Sequence, residues 1–536
     1  MDVKIRTAII SVSDKTGVVD FARDLAGMDV KIISTGGTAK TLTDAGIDVT
    51  PIEKVTGFPE MMDGRVKTLH PKIHGGLLAL RDKAEHKAAM KQHEIEPIDL
   101  VCVNLYPFEQ TVAKPGCSLE QAIENIDIGG PSMIRSAAKN HRYVTVVTSP
   151  DQYKVIIEQM NKNNGAVSEQ LRSELARAAF SHTATYDAAI ARYLNTKAGV
   201  EYPDKLSVAL IKGASLRYGE NPHQSAAFYK LPAASETSVG RGKIIEGDTA
   251  ISFNNIMDSN AAFELVKEFD EPAVVIVKHL NPCGCAIDED ICVAYRKAYE
   301  CDVTSAFGGI VAVNRNVNTE LAQTIMESYS RFGKALGAEG FFAEVIIAPQ
   351  FEPEAIEIIR RLKSWGNRVR LIETGPIDKT KIDIAEYDLR CIVGGVLLQK
   401  RDLVGWEPKA LTVPTKVKPT EEQLADLRIA WLAAKHTKSN TIVLVKNRKV
   451  IGVGAGQMNR VQSGQIAIKQ AGDQTKGAVM ASDAFFPFPD NVENAAAAGI
   501  AAVVQPGGSK KDDEVVACAD KHGIAMVFTG KRHFKH

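Results

Sequence analysis

The stretch "AVVIVKHLNPCGCA", residues 273–286, decides how the second half of this 536-residue chain is to be read. It opens with a run of apolar, mostly β-branched residues, the composition of a buried strand. Such a strand delivers Lys278 and His279 to its carboxyl end, and Asn281-Pro282 reads as the turn that follows. The histidine with Cys283 and Cys285 raises a metal site. Structural zinc takes about four ligands at characteristic spacings, but these cysteines are C-x-C and no second pair lies nearby. The zinc-deaminase signature H-x-E also fails, because Asn281 stands where the glutamate is needed. Metal is therefore not expected. Two readings remain open: an ammonium beside an imidazole as an acid/base unit at a strand end, or a core histidine satisfied by its neighbours.

Outward from this stretch the chain alternates strands and helices. Residues 6–13 (RTAIISVS), 30–37 (VKIISTGG), 99–106 (DLVCVNLY) and 142–149 (RYVTVVTS) read as strands. Between the first two, 15–27 (KTGVVDFARDLAG) sets Val18, Val19, Ala22, Leu25 and Ala26 at helical spacing, with Gly27 as a stop. This alternation implies an α/β, doubly wound parallel sheet, whose ligands bind beyond the carboxyl ends of the strands. Residues 167–195 read as one helix, and the Gly- and Pro-containing 196–206 puts a domain boundary near 200. The chain thus divides into 1–200 and 201–536, with a softer boundary inside the second part near 375–420. Residues 440–457 (NTIVLVKNRKVIGVGAGQ) read as two strands around a polar turn, and no short-period repeat is evident.

Polar groups cluster at the expected strand ends. "SVSDKTG" offers Ser11, Ser13, Lys15 and Thr16 where a helix is expected to start, and "STGGT" offers Ser34, Thr35, Gly36, Gly37 and Thr38. Helix N-termini favour anions and glycines admit close backbone approach, so the pair suits a phosphate, although a simple helix cap also explains the first. "GRVKTLHPKIHGG" (64–76) crowds Arg65, Lys67, Thr68, His70, Lys72 and His74, as a binding segment or a solvated loop. Pro71 speaks against a regular helix there, and so against His70 and His74 as a metal pair. Tyr106 follows a strand, Asp127 precedes a Gly-Gly-Pro turn, and Lys139 follows in the next helix; such groups serve proton transfer and carbonyl polarisation. Further on stand Arg217, Tyr218 and His223 in "LRYGENPHQ", Asn440 in "KSN", Gln457 and Arg460 in "GAGQMNR", and Asp483 in "SDAFFPFPDN".

Composition excludes several classes. Lys+Arg equals Asp+Glu at 65 each, so no global field draws the chain to nucleic acid. No apolar run approaches the ~18 residues of a membrane span, and the start does not read as a secretory signal. Eight scattered cysteines suit a reducing cytoplasm better than a disulfide framework.

Taken in order, "SVSDKTG", "STGGTA", "GRVKTLHPKIHGG", "NLYPF", "IDIGGPSMIRSAAKN", "LRYGENPHQ", "VKHLNPCG", "SAFGGIVAV", "EVIIAP", "KSN", "GAGQMNR", "SDAFFPFPDNV" and "RHFKH" closely resemble the bifunctional purine biosynthesis proteins. That family joins phosphoribosylaminoimidazolecarboxamide (AICAR) formyltransferase to IMP cyclohydrolase. Ser136, where alanine is expected, is a minor departure. The resemblance implies a methylglyoxal-synthase-like N-terminal domain for ring closure. It implies two cytidine-deaminase-like subdomains, without catalytic metal, for formyl transfer from 10-formyltetrahydrofolate. It further implies a cytoplasmic homodimer acting on AICAR, formyl-AICAR, IMP and reduced folate, with room for a structural monovalent cation. Carried over, Lys278, His279 and Asn440 would be catalytic in formyl transfer; Asn440, Gln457, Arg460 and Asp483 would meet the folate; Arg217, Tyr218, His223 and Arg532 would hold the nucleotide. Lys67, Tyr106, Asp127 and Lys139 would act in ring closure, with Ser11, Ser13, Lys15, Thr16, Ser34, Thr35, Gly36, Gly37, Thr38, Arg65 and Thr68 around the phosphate and the formyl group. A non-catalytic nucleotide sensor on the same fold would be expected to lack Lys67 or the Lys278–His279 pair, and this chain has both.

Overall fold

In the computed structural model, residues 2–62, 65–232, 234–245, 247–382 and 387–536 are described. Gly64, which opens the basic segment quoted above, lies outside them. The chain forms two compact units, Met1–Leu210 and Ile211–His536. Among the described residues no helix is long and apolar enough to cross a membrane.

The first unit is built on a five-stranded parallel sheet in the order Thr50–Pro51, Lys31–Ser34, Thr7–Val12, Leu100–Asn104, Thr145–Val147. Near-continuous burial along Thr7–Val12 and Leu100–Asn104 marks strands covered on both faces. The chain leaves the first strand toward one edge and later returns to its other side, so Thr7–Val12 and Leu100–Asn104 flank the switch point where such sheets bind ligands. Two local expectations are corrected. The first helix is Val18–Gly27, starting after Gly17 in a left-handed conformation (φ 66°), so Lys15 and Thr16 lie in a loop. Asp14 accepts both the Thr16 N–H (2.9 Å) and its hydroxyl (2.7 Å), which turns the chain before the helix can begin. Pro71, taken above as an obstacle to helix, instead opens the helix Pro71–Leu78, capped by His70 Nδ1 accepting from Lys72 N at 3.2 Å. Proline's fixed φ and missing N–H suit a first helical position.

The second unit carries an eleven-stranded mixed sheet. Its order is Lys243–Ile245, Arg370–Glu373, Ala343–Ala348, Gly309–Val313, Ala273–Lys278, Asn281–Ile287, Lys449–Gly454, Ile442–Lys446, Val479–Ser482, Ala502–Gln505, Ala525–Phe528. The two halves repeat one pattern. Each has an antiparallel hairpin, a third strand antiparallel to the hairpin's first, and two further strands in parallel. They meet where Asn281–Ile287 and Lys449–Gly454 pair antiparallel at Ala286 and Lys449. Strand residues alternate between faces. Val275, Val277, Val443 and Val445 enter one core shared with the helices Phe253–Val266 and Glu421–Lys435. On the opposite face, Val274 and Ile276 join one cluster while Ile442 and Leu444 join another.

The stretch that opened the sequence reading is corrected in detail. Its turn is His279-Leu280, both left-handed (φ 52° and 66°), and Asn281-Pro282 already begins the return strand. Pro282 pairs opposite Val277, just beyond an irregularity between Ile276 and Val277. A break in the ladder is where a strand tolerates proline, which has no N–H to give.

Two buried carboxylates tie helix ends and loops in this unit. Glu268 lies 2.6 Å from Lys435 Nζ and 2.9 Å from His436 Nε2. Glu236 lies 2.5 Å from Lys267 Nζ and 2.6 Å from Arg401 Nη1. Burial alone raises both carboxyls, but the hydrogen bonds and cations outweigh it and hold each at about 2. Burial pushes the His436 imidazole down, opposed by its hydrogen bond to Glu268. Carboxyls of the unfolded chain titrate near about 4.3. Both groups therefore add stability that is fully present above that value and lost as pH falls toward 2. The melting temperature is expected to drop steeply from about pH 4.5 downward, and Glu268→Gln to flatten part of that slope; thermal melts of both proteins across the range check this.

Candidate active sites

The first unit contains a cavity of about 570 Å³ at the carboxyl ends of its central strands. Ser11 and Val12 end one strand with Ser13 just beyond it, Thr35 follows the next, and Val103 and Asn104 end the third. The wall is built by hydrogen bonds between these ends. Ser11 Oγ and Thr35 Oγ1 are 2.8 Å apart, Thr38 Oγ1 accepts from Val12 N at 3.0 Å, and Asn104 Oδ1 accepts from Ser13 N at 2.6 Å and Asp14 N at 3.0 Å. Thr35 turns its hydroxyl to Ser11, the helix Gly36–Asp44 has no side-chain cap, and Gly36 and Gly37 open their end of it to the cavity. Gly129 and Gly130 bring a second helix, Gly129–Lys139, to the same space by its N-terminal end. The uncapped N-terminus of Gly36–Asp44 makes its end of the cavity receptive to an anion, whereas at the second helix the Asp127 carboxylate accepts from Gly130 N.

Cations and carboxylates surround that anion site. Lys67 Nζ pairs with Glu60 Oε1 at 2.8 Å and lies 3.6 Å from where a Cβ on Gly36 would stand. Arg65 pairs with Glu124 on the cavity wall. Burial raises the Asp127 carboxyl, against N–H groups donated by Gly130 (2.8 Å) and Tyr106. A raised carboxyl is a stronger base than an exposed one. The backbone of Asp127 is fixed in turn, its N–H donating to Tyr186 Oη at 2.8 Å. Half-exposed Tyr106 completes the wall.

Thus Ser11, Ser13, Lys15, Thr35, Gly36, Gly37, Thr38, Arg65, Lys67, Thr68, Tyr106 and Asp127 are brought together. Three expected residues are not. Ser34 is fully buried and donates to Ile10 O at 2.6 Å, holding adjacent strands. Thr16 is engaged with Asp14. Lys139 is exposed at the far end of its helix, about 15 Å along the axis from Gly129. Sequence reasoning passed over Asn104 and Glu60. An asparagine ending an otherwise apolar strand was the available signal for the first; Glu60 carried none.

In the second unit, Lys278 Nζ donates to Phe307 O at 2.8 Å and His279 is exposed, which removes the core-histidine reading. Asn281 joins this hairpin to the other half: its Nδ2 donates to His279 O (3.0 Å) and its Oδ1 accepts from Lys438 N (3.0 Å). From Lys438 the network continues. Asn440 Nδ2 donates to Gln457 O at 2.9 Å, Arg460 Nη2 donates to Asn440 Oδ1 at 2.6 Å, and Arg460 also pairs with Asp483. Asp483 accepts in addition from Ser439 Oγ and from Thr441 N (3.3 Å). One connected group therefore holds Lys278, His279, Asn440, Gln457, Arg460 and Asp483.

Within it, Asp483 and Arg460 do not stand where a bound molecule would meet them. Asp483 is fully buried and Arg460 is 9% exposed, each the other's counter-ion. Burial raises the Asp483 carboxyl, opposed by Arg460 and its hydrogen bonds. Their hydrogen bonds orient the 439–441 segment. The C-terminal "RHFKH" is tied to the same segment, with Ser439 N donating to Lys535 O at 2.9 Å and Lys438 Nζ to His536 O at 2.6 Å. Arg532 is exposed there, its guanidinium 4.5 Å from the Phe534 ring centroid. Arg217 lies over Tyr218 at 5.5 Å, and their loop, which also carries exposed His223, is tied to the helix Phe253–Val266 by Asn254 Nδ2 donating to Glu220 O at 3.3 Å. Among the described residues, no hydrogen bond joins Arg217, Tyr218 or His223 to Lys278 or His279, and no group of three or more His, Cys, Asp or Glu side chains is placed to hold a metal ion.

Two known families match the chain: the MGS-like domain over residues 17–132 and the AICARFT/IMPCHase bienzyme over residues 137–470. Among similar proteins are the bifunctional purine biosynthesis proteins PurH of Bacillus cereus (strain AH820) and Bacillus anthracis, each 50% identical over 531 residues, covering 99% of this chain and all of the relative. The PurH of Bacillus thuringiensis (strain Al Hakam) is equally similar, at 50% over 531 residues. A solved structure, the crystal structure of ForH, matches 35% of this chain and 97% of its own at 34% identity, with a TM-score of 0.32 that carries no argument about the fold.

The glycine pair at the cavity gives a direct check of this geometry. A Cβ on Gly130 would stand 2.4 Å from Asp127 Oδ2, and one on Gly129 would stand 2.6 Å from Thr68 Oγ1. Gly130→Ala is expected to cost about 1–3 kcal/mol by overpacking and to displace the Asp127 carboxylate. Urea unfolding reads the cost, and a crystal structure of the variant reads the displacement.

Proposed function

This chain belongs to the AICARFT/IMPCHase bienzyme family and carries AICAR formyltransferase and IMP cyclohydrolase activities; on that premise we propose how its residues divide the two reactions. Formyl transfer is assigned to the Lys278–His279 group and ring closure to the cavity of the first unit. The observation that carries the division is that each unit, taken by itself, holds its own acid/base constellation.

In formyl transfer the attacking group is the 5-amino nitrogen of AICAR, a weak nucleophile because its lone pair is delocalised toward the carboxamide. His279 takes the amine proton as the nitrogen attacks the formyl carbon of 10-formyltetrahydrofolate. Lys278, with one N–H committed to Phe307 O, offers its remaining protons to the oxyanion. The bond from formyl carbon to folate N10 then breaks, and the proton ends on N10. Asn440 and Gln457 face the cosubstrate, held from behind by Arg460 and Asp483, while Arg217, Tyr218, His223 and Arg532 take the nucleotide.

In ring closure the carboxamide nitrogen of formyl-AICAR attacks the formyl carbon of the same molecule, and the formyl oxygen leaves as water. The phosphate sits at Gly36, Gly37 and Thr38 with Lys15. Lys67 polarises the formyl oxygen, and Asp127 with Tyr106 moves the protons. Because both reacting groups belong to one bound molecule, orientation supplies much of the rate. Lys139 would act only from outside the wall described above.

The reading includes a homodimer, supported by the exposed apolar side chains Leu389, Ile392, Val393, Val396 and Leu397 on the hairpin Tyr387–Ile392/Gly395–Lys400. It includes a cytoplasmic location, supported by eight cysteines without a disulfide, and a structural monovalent cation, tested by the effect of potassium on melting.

The test supplies purified protein with AICAR and 10-formyltetrahydrofolate, and quantifies tetrahydrofolate, formyl-AICAR and IMP. His279→Ala is expected to lower formyl transfer by about 10²–10⁴-fold while still closing added formyl-AICAR. Lys67→Ala is expected to accumulate formyl-AICAR. Loss of both steps in either variant would overturn the division.

A further inference from the structure

The two halves of the second unit repeat in register, and the repeat isolates one side chain. Ser252 and Thr420 cap their helices in matching capping boxes with Asn255 and Gln423. Each pair is 168 positions apart. At the same offset, the hairpins break register between Ile276 and Val277 and between Leu444 and Val445. Their turns match as well: His279 and Leu280 at φ 52° and 66°, Asn447 and Arg448 at φ 53° and 62°.

Turns with two left-handed central residues normally draw on Asn-Gly or similar pairs. Neither turn here contains glycine. Both are held by a carboxylate from the preceding helix. Asp258 accepts from His279 N at 3.2 Å and Leu280 N at 2.7 Å; Asp426, again 168 positions on, accepts from Asn447 N at 2.9 Å and Arg448 N at 2.7 Å. The two clasps are alike, but only one presents a histidine. The His279 ring is exposed and, among the described residues, no hydrogen bond holds it; its placement comes through its backbone.

We infer that Asp258 is a positioning residue for formyl transfer, fixing the turn that aims His279, and that Asp426 is the same device without a catalytic load. This rests on the assignment of His279 given above. The paired clasp supplies its own control, since a purely structural role would make the two aspartates equivalent.

The experiment compares Asp258→Ala with Asp426→Ala in the full chain, reading melting temperature, kcat and KM for formyl transfer, and ring closure of added formyl-AICAR. Both variants are expected to lose similar stability and to keep ring closure. Asp258→Ala alone is expected to lower the formyl-transfer kcat by about 10–100-fold, the scale of a small misplacement of a reacting group, with KM changed by less than about threefold. In the Asp258→Ala background, Leu280→Gly supplies a residue at ease with positive φ and is expected to recover part of that kcat. Should Asp258→Ala not fold, Asp258→Asn against Asp426→Asn gives the same comparison with one acceptor atom retained. Equal kcat losses in the two variants, no loss in either, or no recovery with Leu280→Gly would overturn the inference. His279→Ala distinguishes the premise: if it retains formyl transfer the assignment of His279 falls, whereas an inactive His279→Ala beside a fully active Asp258→Ala overturns only the role of Asp258.

Discussion

The ion pair of Arg460 and Asp483 is the contact on which the polar network around Asn440 depends. Removing two charges from water costs several kcal/mol per ion unless their geometry and hydrogen bonds are good. Here the carboxylate meets Ser439, Thr441 and Arg460, while the guanidinium also reaches Asn440. All of those bonds but the ion pair itself end on the 439–441 segment. That segment in turn carries Asn440 toward Gln457 and anchors the C-terminal residues at Lys535. A pair that would be expendable on a surface is, at this depth, what gives the segment one conformation.

The cavity of the first unit is organised by different groups. Hydroxyls and amides at strand ends bond to one another, and the helix Gly36–Asp44 is left without a side-chain cap, while Asp127 takes the Gly130 N–H at the start of the other helix. The Ser11–Thr35 bond and the Asn104 contacts exemplify this. Gly129 and Gly130 let Thr68 and Asp127 approach the second helix closer than any side chain would allow.

Much of this was legible in the sequence because strands buried on both faces read as continuous apolar runs, and polar residues at their carboxyl ends then stand out. Ser11, Thr35 and Tyr106 were found that way, Lys67 and Asp127 by the crowding of basic groups in 64–76 and by the Gly-Gly-Pro turn, and the motif resemblance supplied roles for them. Burial of a charged residue leaves no such mark. Asp483 sits beside phenylalanines and prolines and looks like a ligand contact, yet its carboxylate is turned inward to Arg460. The turn at His279-Leu280 was misplaced by two residues because its stabilising partner, Asp258, is 21 positions upstream in the chain. Pro71 was misjudged because proline breaks a helix only from inside, not from its first position. The two like subdomains were implied by the resemblance, but their position-by-position correspondence was not read from the residues, because few are shared between the halves; what repeats is the role of each position.

The shared core of the second unit has a further consequence. Val275 and Val277 from one half and Val443 and Val445 from the other pack into a single cluster across the central strand pair. Neither half owns that core. A chain divided between the halves would bare an apolar face together with an open strand edge at Asn281–Ile287 or Lys449–Gly454, the template for edge-to-edge aggregation. Each half therefore depends on the other to cover its apolar face.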